Sequence, residues 1–227
     1  FLGVRAARKY KFCIIASPAG SYFQGGAKPI SVWVSEEFSR AAKRGTGEAK
    51  CGGNYAASLI AQAAALQRGC DQVVFLDAAE NRWVEELGGM NVFFVMDDNS
   101  LLTPRLGTVL PGITRDSIIT LARDHGWSLS EGNYEFRQWA SDAATGKLRE
   151  AFACGTAATI APIGSIKHAN GDFCINDGKI GEVTTKLRTQ LRDIQKGLGP
   201  DPHGWVKVLG RTGPEITSAE WDNDLAR

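Results

Sequence analysis

Gln72-Val73-Val74-Phe75-Leu76-Asp77 is a short apolar run between turn residues, and two more follow without a helix between them. These are residues 83–86 and Asn91-Val92-Phe93-Phe94-Val95-Met96, set around a Gly88-Gly89 break. Runs of this length bounded by turn residues read as strands. Just upstream, residues 54–68 repeat small and apolar side chains at helical spacing (Ala57, Leu59, Ile60, Ala63, Ala64, Leu66), and Gly69 supplies the stop. One helix followed by three successive strands breaks the strict βαβ rhythm of a doubly wound sheet. The pattern therefore predicts a mixed sheet or barrel-like domain, of α/β or α+β class.

Further out, residues 10–17 and 29–35 read as strands, the second alternating Ile30, Val32 and Val34 with Ser31, Trp33 and Ser35. Gly20, Gly25 and Gly26 mark a loop between them. Downstream, Leu110-Pro111-Gly112-Ile113-Thr114-Arg115-Asp116 opens a helix with an Ile118, Ile119, Leu121, Ala122 stripe that ends at Gly126. A short helix over 134–144 leads to a strand at 150–154. After Gly155-Thr156 comes a strand over 157–166, and then an amphipathic helix over 182–197 through Val183, Leu187, Leu191 and Ile194. Residues 213–227 are acidic and poor in apolar side chains, the pattern of a solvated tail.

Composition limits the functions available. Of 227 residues, 43% are hydrophobic and 22% charged, and 26 Lys plus Arg against 25 Asp plus Glu leave a net charge of +1. No global field draws the chain to nucleic acid or an anionic membrane, so any anion must be held locally. The longest apolar run, Val92 to Met96, is far short of the roughly 20 residues of a membrane-spanning helix. Cys13, Cys51, Cys70, Cys154 and Cys174 are odd in number and widely spaced, which reads as reduced, buried thiols of a cytoplasmic protein. His125, His168 and His203 give no helical pair, and no metal site is expected. The opening Phe1-Leu2-Gly3-Val4 and the early apolar run suggest a piece of something larger.

The Gly-rich stretch Gly45-Thr46-Gly47-Glu48-Ala49-Lys50-Cys51-Gly52-Gly53 is neither of two familiar phosphate cradles. A P-loop needs Ser or Thr directly after its lysine, and Lys50 is followed by Cys51; the dinucleotide fingerprint lacks its third glycine and its strand-ending acid. What remains is a lysine in a small-residue loop ahead of a helix. Little beside it solvates the ammonium, which predicts partial desolvation and a nucleophilic amine able to form a Schiff base. By itself the pattern is also that of an ordinary surface lysine.

Four motifs in order resolve the choice: Gly47-Glu48-Ala49-Lys50-Cys51-Gly52-Gly53-Asn54-Tyr55, Glu85-Glu86-Leu87-Gly88-Gly89-Met90-Asn91, Leu110-Pro111-Gly112-Ile113-Thr114-Arg115, and Cys154-Gly155-Thr156-Ala157. Together they resemble the branched-chain aminotransferases, pyridoxal-phosphate enzymes of fold type IV, over residues 1 to about 209. Ala19-Gly20-Ser21-Tyr22-Phe23, Gly69 to Val74 and Gly204-Trp205 agree. The resemblance implies a large C-terminal pseudo-barrel domain over residues 1–210, a mobile polar tail over 211–227, and a small N-terminal domain with no counterpart here. It further implies transamination of leucine, isoleucine and valine with 2-oxoglutarate by ping-pong kinetics, in a homodimer.

The same resemblance assigns roles. Lys50 becomes the Schiff-base lysine and proton shuttle. Glu86 faces the pyridine nitrogen, a position that would otherwise read as a strand-end surface acid, and Tyr55 bonds the phenolic oxygen, where packing is the plainer reading. Gly112, Ile113 and Thr114 open a helix toward the phosphate, although Thr114 also fits a simple helix cap. Gly155 and Thr156 supply a second close approach, and Arg40, ten residues before Lys50, matches a phosphate-proximal arginine. Substrate falls to Gly89, Met90, Thr156, Ala157 and Ala158, whose backbone N–H groups would take the carboxylate.

Departures from the family are visible. Gly89 stands where many members carry threonine, and Ala158 and Ala161 replace the redox C-x-x-C pair of mammalian members. A D-amino-acid aminotransferase or aminodeoxychorismate lyase shares the fold, and a noncatalytic fragment is the reading from another class. The Gly52-Gly53-Asn54-Tyr55 and Gly88-Gly89-Met90-Asn91 runs favour the branched-chain group.

Overall fold

A computed structural model describes residues 2–17 and 28–207. Nine strands form a single sheet: β1 (Ile30–Ser35), β2 (Gln72–Leu76), β3 (Val84–Leu87), β4 (Asn91–Met96), β5 (Leu101–Pro104), β6 (Leu129–Gly132), β7 (Leu148–Gly155), β8 (Thr159–His168) and β9 (Gly171–Cys174). Among the described residues four α-helices pack around it: α1 (Gly52–Gln67), α2 (Ile113–Asp124), α3 (Phe136–Thr145) and α4 (Glu182–Lys196). Strand order is β3-β2-β1-β8-β7-β4-β5-β6, with β9 beside β8. Parallel pairs (β1 with β2 and β8, β5 with β6) sit among antiparallel ones, which is the mixed sheet the sequence predicts.

The sheet is curled. β3 and β4 are remote in hydrogen-bond order, yet a two-residue Gly88-Gly89 turn joins them and Leu87 and Met90 exchange N–H···O bonds of 2.9 and 3.0 Å. The inner face of this half-barrel is filled by Val32, Val34, Val74, Val84, Leu87, Val92, Phe94, Ala153 and Ile163. A second core lies between the outer face and two helices, where Phe93, Val95 and Phe152 meet Ile118 and Leu121 of α2 and Leu187, Leu191 and Ile194 of α4. The near-continuous apolar run of β4 follows from this, since both of its faces are covered.

The helix stops at Gly126 (φ 70°) and Gly197 (φ 66°) lie in the left-handed region that glycine adopts without strain. α4 begins at Gly181 with no capping side chain of its own. The cap comes from β7, where Glu150 accepts from Val183 N–H (3.0 Å), Thr184 N–H (2.8 Å) and the Thr184 hydroxyl (2.7 Å). A Cβ on Gly181 would lie 1.8 Å from the Glu150 carboxyl carbon, so the glycine leaves room for that acid.

Four expectations change. Residues 10–17 form no strand: they carry no secondary structure, and Phe12 and Ile15 are almost fully exposed. β-prone composition alone does not make a strand, which needs a ladder to join. In α1 the buried face is Asn54, Ser58, Ala61 and Ala65, while Leu59, Ile60 and Leu66 face outward. β8 starts at Thr159, because residues 156–158 form the turn from β7. Only Cys70 and Cys154 are buried thiols; Cys51 is half-buried and Cys13 and Cys174 are exposed. The Gly20–Gly26 loop, the Ala19–Phe23 motif and the tail lie outside the described residues. Among the described residues, no helix is long and apolar enough to cross a membrane.

Candidate active site

β4 runs antiparallel to β7 with Asn91 opposite Cys154, so the β3–β4 turn (Gly88-Gly89) and the β7–β8 turn (Thr156 to Ala158) project from the same end of the sheet. Contacts tie that end together. A Cβ on Gly155 would lie 3.4 Å from Met90 Cγ and 3.7 Å from the Gly89 carbonyl, and one on Gly89 would lie 3.4 Å from the Tyr55 ring. Lys50 Nζ stands 5.2 Å from the centre of that ring.

The loop carrying Lys50 is braced from below. Asn54, in the first turn of α1, donates to the Thr46 carbonyl at 2.6 Å and the Ala49 carbonyl at 2.8 Å, while the Thr46 hydroxyl bonds its Oδ1 at 2.6 Å. Gly47 is pressed against the neighbouring loop so closely that a Cβ would come within 2.1 Å of the Thr108 carbonyl oxygen. Lys50 itself is exposed. The small residues around it leave the amine open instead of desolvating it, contrary to expectation. Next to it, the half-buried Cys51 thiol is held below its usual range by hydrogen bonds from the start of α1, that of Asn54 foremost, and from Thr46.

Glu86 pairs with Phe75 on β2 and is 2% exposed. Its Oε2 receives Leu110 N–H at 3.0 Å and Arg40 Nη2 at 2.9 Å. Burial nevertheless outweighs these donors and raises its pKa from 4.5 to about 7. A carboxyl raised in this way contributes stability that is fully present below pH 4.5 and is lost as pH rises through about 7. Ionising it therefore costs the fold of order 3 kcal/mol at about 1.4 kcal/mol per pKa unit. Glu86→Gln, which cannot ionise, is expected to flatten the fall in urea midpoint between pH 5 and pH 8; a parent-like slope in that variant would contradict the assignment.

Arg40 is held by three protein oxygens. Its guanidinium contacts Glu86, the Gly47 carbonyl at 3.2 Å and the Thr108 carbonyl, all through Nη2. These contacts are to the acid and to the two loops on either side of it. Helix α2 has Gly112 as its N-cap with no side-chain cap bond, so Thr114 is not the cap and the first N–H groups of α2 have no carbonyl one turn back. Asn91 fixes the approach, donating to the Leu110 carbonyl at 2.9 Å, and a Cβ on Gly112 would sit 2.2 Å from Asn91 Oδ1. An anion fits this helix end on the dipole and donor arguments together.

Of the expected substrate contacts, Gly89, Thr156 and Ala157 line the turns with Ala158, which is half-buried there. Met90 differs: its side chain is buried in the barrel core and its N–H is spent on the Leu87 carbonyl. It can wall the site but cannot donate to a carboxylate. Asn91 and Thr108 are site residues that the motifs do not mark as such; only the tight Gly112 and Gly47 contacts reveal them.

A curled mixed sheet with a lysine, a buried acid and a helix N-terminus gathered at two hairpin turns is the layout of pyridoxal-phosphate fold type IV. The family model for amino-transferase class IV matches residues 2–166, and the chain belongs to that family. It is 56% identical over 209 residues to a probable branched-chain-amino-acid aminotransferase of Streptomyces coelicolor, covering 92% of this chain and 58% of that protein. It is 54% identical over 212 residues to the branched-chain-amino-acid aminotransferase of Mycolicibacterium smegmatis, again covering 92% and 58%. Among solved structures, the Escherichia coli branched-chain amino acid aminotransferase aligns with a TM-score of 0.71 at 32% identity, over 83% of this chain and 59% of that one. The chain thus spans about 58% of the length of these curated relatives.

Proposed function

We propose that this chain is the large, cofactor-binding part of a branched-chain-amino-acid transaminase that exchanges the amino group of leucine, isoleucine or valine with 2-oxoglutarate. The observation carrying this reading is the convergence of Lys50, Tyr55, Glu86 and the α2 N-terminus at one sheet end. The names of the relatives support the same reading, and a solved branched-chain amino acid aminotransferase that holds pyridoxamine 5'-phosphate aligns with a TM-score of 0.68 at 28% identity, over 82% of this chain and 57% of that one.

Pyridoxal 5'-phosphate, when bound, supplies an aldehyde that accepts the amino group and a ring that spreads the negative charge developing at the substrate's Cα. In our reading the N–H groups of Ile113 and Thr114, with those of Gly155 and Thr156, hold the phosphate. Glu86 keeps a proton on the ring nitrogen, and the Tyr55 phenol bonds the ring oxygen. Lys50 Nζ would be the nucleophile toward the aldehyde and, once free, the base that takes the substrate's Cα proton. Backbone donors at Gly89, Ala157 and Ala158 orient the carboxylate. Their small side chains leave space for an aliphatic chain, whose burial stabilises binding by roughly 1.5–3 kcal/mol.

Two further readings belong with this one. The free thiols suit the reducing cytoplasm, and the outward Leu59, Ile60 and Leu66 of α1 suit burial against a second copy. Sedimentation of the chain as a monomer at micromolar concentration would count against the homodimer.

The test is turnover of leucine with 2-oxoglutarate by the chain with pyridoxal 5'-phosphate added, together with borohydride labelling. A label mapped to Lys50 and leucine preferred over D-alanine are the expected results; a chain that takes up no pyridoxal phosphate overturns the proposal. Gly112→Ala, which drives Asn91 off the Leu110 carbonyl, is expected to weaken pyridoxal-phosphate binding about tenfold, the worth of one net hydrogen bond. Fluorescence titration checks this, and unchanged affinity would contradict the role given to the α2 approach.

A further inference from the structure

Arg40 is 5% exposed and touches three separate parts of the site through one nitrogen. It reaches the Gly47 carbonyl of the lysine loop, Glu86 Oε2 on β3 and the Thr108 carbonyl of the loop leading to α2. The two loops it joins already meet so tightly at Gly47 and Thr108 that no Cβ fits between them. Leu110 N–H falls on the same Glu86 oxygen as Arg40, so both anchors grip Oε2 and neither grips Oε1.

We infer that Arg40 is a positioning residue: it fixes Glu86 by Oε2, presents Oε1 to the ring nitrogen of the cofactor as an ionised carboxylate, and ties the lysine loop and the α2 approach to the same guanidinium. The inference rests on the pyridoxal-phosphate reading above. It answers a physical problem at this position. A carboxyl as deeply buried as Glu86 favours its protonated form, and a protonated acid cannot hold a proton on a ring nitrogen. The charged or titratable groups that act on Glu86 are Arg40, Glu85 and Lys50, with the buried Cys154 thiol behind. Glu85 opposes ionisation, Lys50 stands on the exposed side, and Arg40 is the opposite charge in direct contact.

The experiment uses the full chain, first without cofactor and then loaded with pyridoxal 5'-phosphate carrying nitrogen-15 in its ring, in the parent, Arg40→Met and Arg40→Lys. Infrared difference spectra against Glu86→Gln follow the Glu86 carboxyl in the unloaded chain, and the nitrogen-15 shift follows the ring proton in the loaded one. In Arg40→Met the Glu86 midpoint is expected to rise by about one pH unit, a tenfold gain in proton affinity, with the protonated ring fraction at neutral pH falling correspondingly. Arg40→Lys restores the charge without the fork and is expected to lie between. If Arg40→Met does not fold, Arg40→Lys alone decides, and a parent-like ring titration in it overturns the inference. Parent-like midpoints in a folded Arg40→Met overturn the inference while leaving the pyridoxal-phosphate reading intact. A parent chain that binds no cofactor overturns both.

Discussion

In Lys50→Ala the proposed leucine-dependent amino-group transfer is expected to fall by about 10⁴-fold or more, the size expected when one side chain supplies both the nucleophile and the proton transfer. The fold should be untouched. Lys50 is exposed, and the loop around it is held by Asn54, Thr46 and Gly47 instead, so its stability change should stay within about 0.5 kcal/mol. Lys50→Arg separates charge from chemistry, because a guanidinium keeps its proton and cannot attack an aldehyde. It should be as inactive as the alanine variant, while both still bind pyridoxal phosphate through the α2 N-terminus. The measurement is a coupled assay for glutamate formation alongside circular dichroism. A folded Lys50→Ala chain with parent-like turnover would sink the proposed function.

Glu150→Ala is the second large effect, and it falls on stability. The side chain is buried on β7 and accepts two N–H groups and a hydroxyl at the start of α4. Removing it strips a charge-assisted cap from a helix whose own N-cap is a glycine, and it leaves buried donors unmet. A loss of about 3–5 kcal/mol is expected from these terms together. Glu150→Gln keeps one acceptor oxygen and should lose about half as much. Urea unfolding gives both values; a change below about 1 kcal/mol in Glu150→Ala would mean that the apolar face of α4 holds the helix without its cap. The acid lies toward the other end of β7 from the Gly155-Thr156 turn, so pyridoxal-phosphate affinity in Glu150→Gln should match the parent.

Much of this architecture is legible along the chain because its signals are local. The β2 and β4 runs, the Gly126 and Gly197 stops and the stripes of α2 and α4 each lie within a dozen or so residues. α1 misleads for a physical reason: nearly every position in it is small or apolar, so periodicity cannot choose a face. Packing on β1 and β2 chooses Ala61 and Ala65, and bonds to the Lys50 loop take Asn54. The strand expected over residues 10–17 fails for the complementary reason, since strand propensity is a local quantity and a ladder is not.

At the site, the motifs place Lys50 with Tyr55, Glu86, and the α2 start on three separate segments, and the fold brings these together. What the motifs cannot convey is which way each group faces. Met90 spends its N–H inside its own hairpin. Arg40 lies 46 residues from Glu86 in sequence, and its guanidinium meets that acid beside the close contact of Gly47 with Thr108. Neither Asn91 nor Thr108 carries a residue type that marks a site; each matters for the loop its polar atoms hold.

The curl of the sheet also bears on solubility. Open sheets recruit stray strands along their unpaired margins, and β3 would be such a margin. Here the Gly88-Gly89 turn folds it inward, and the Tyr134 carbonyl accepts from Val84 N–H at 2.9 Å, occupying part of its outer side. Among the described residues the other terminal strands, β6 and β9, are only four residues each and carry Glu131 and Asp172. The bend that gathers the reactive groups thus also leaves little backbone on which a neighbouring chain could template.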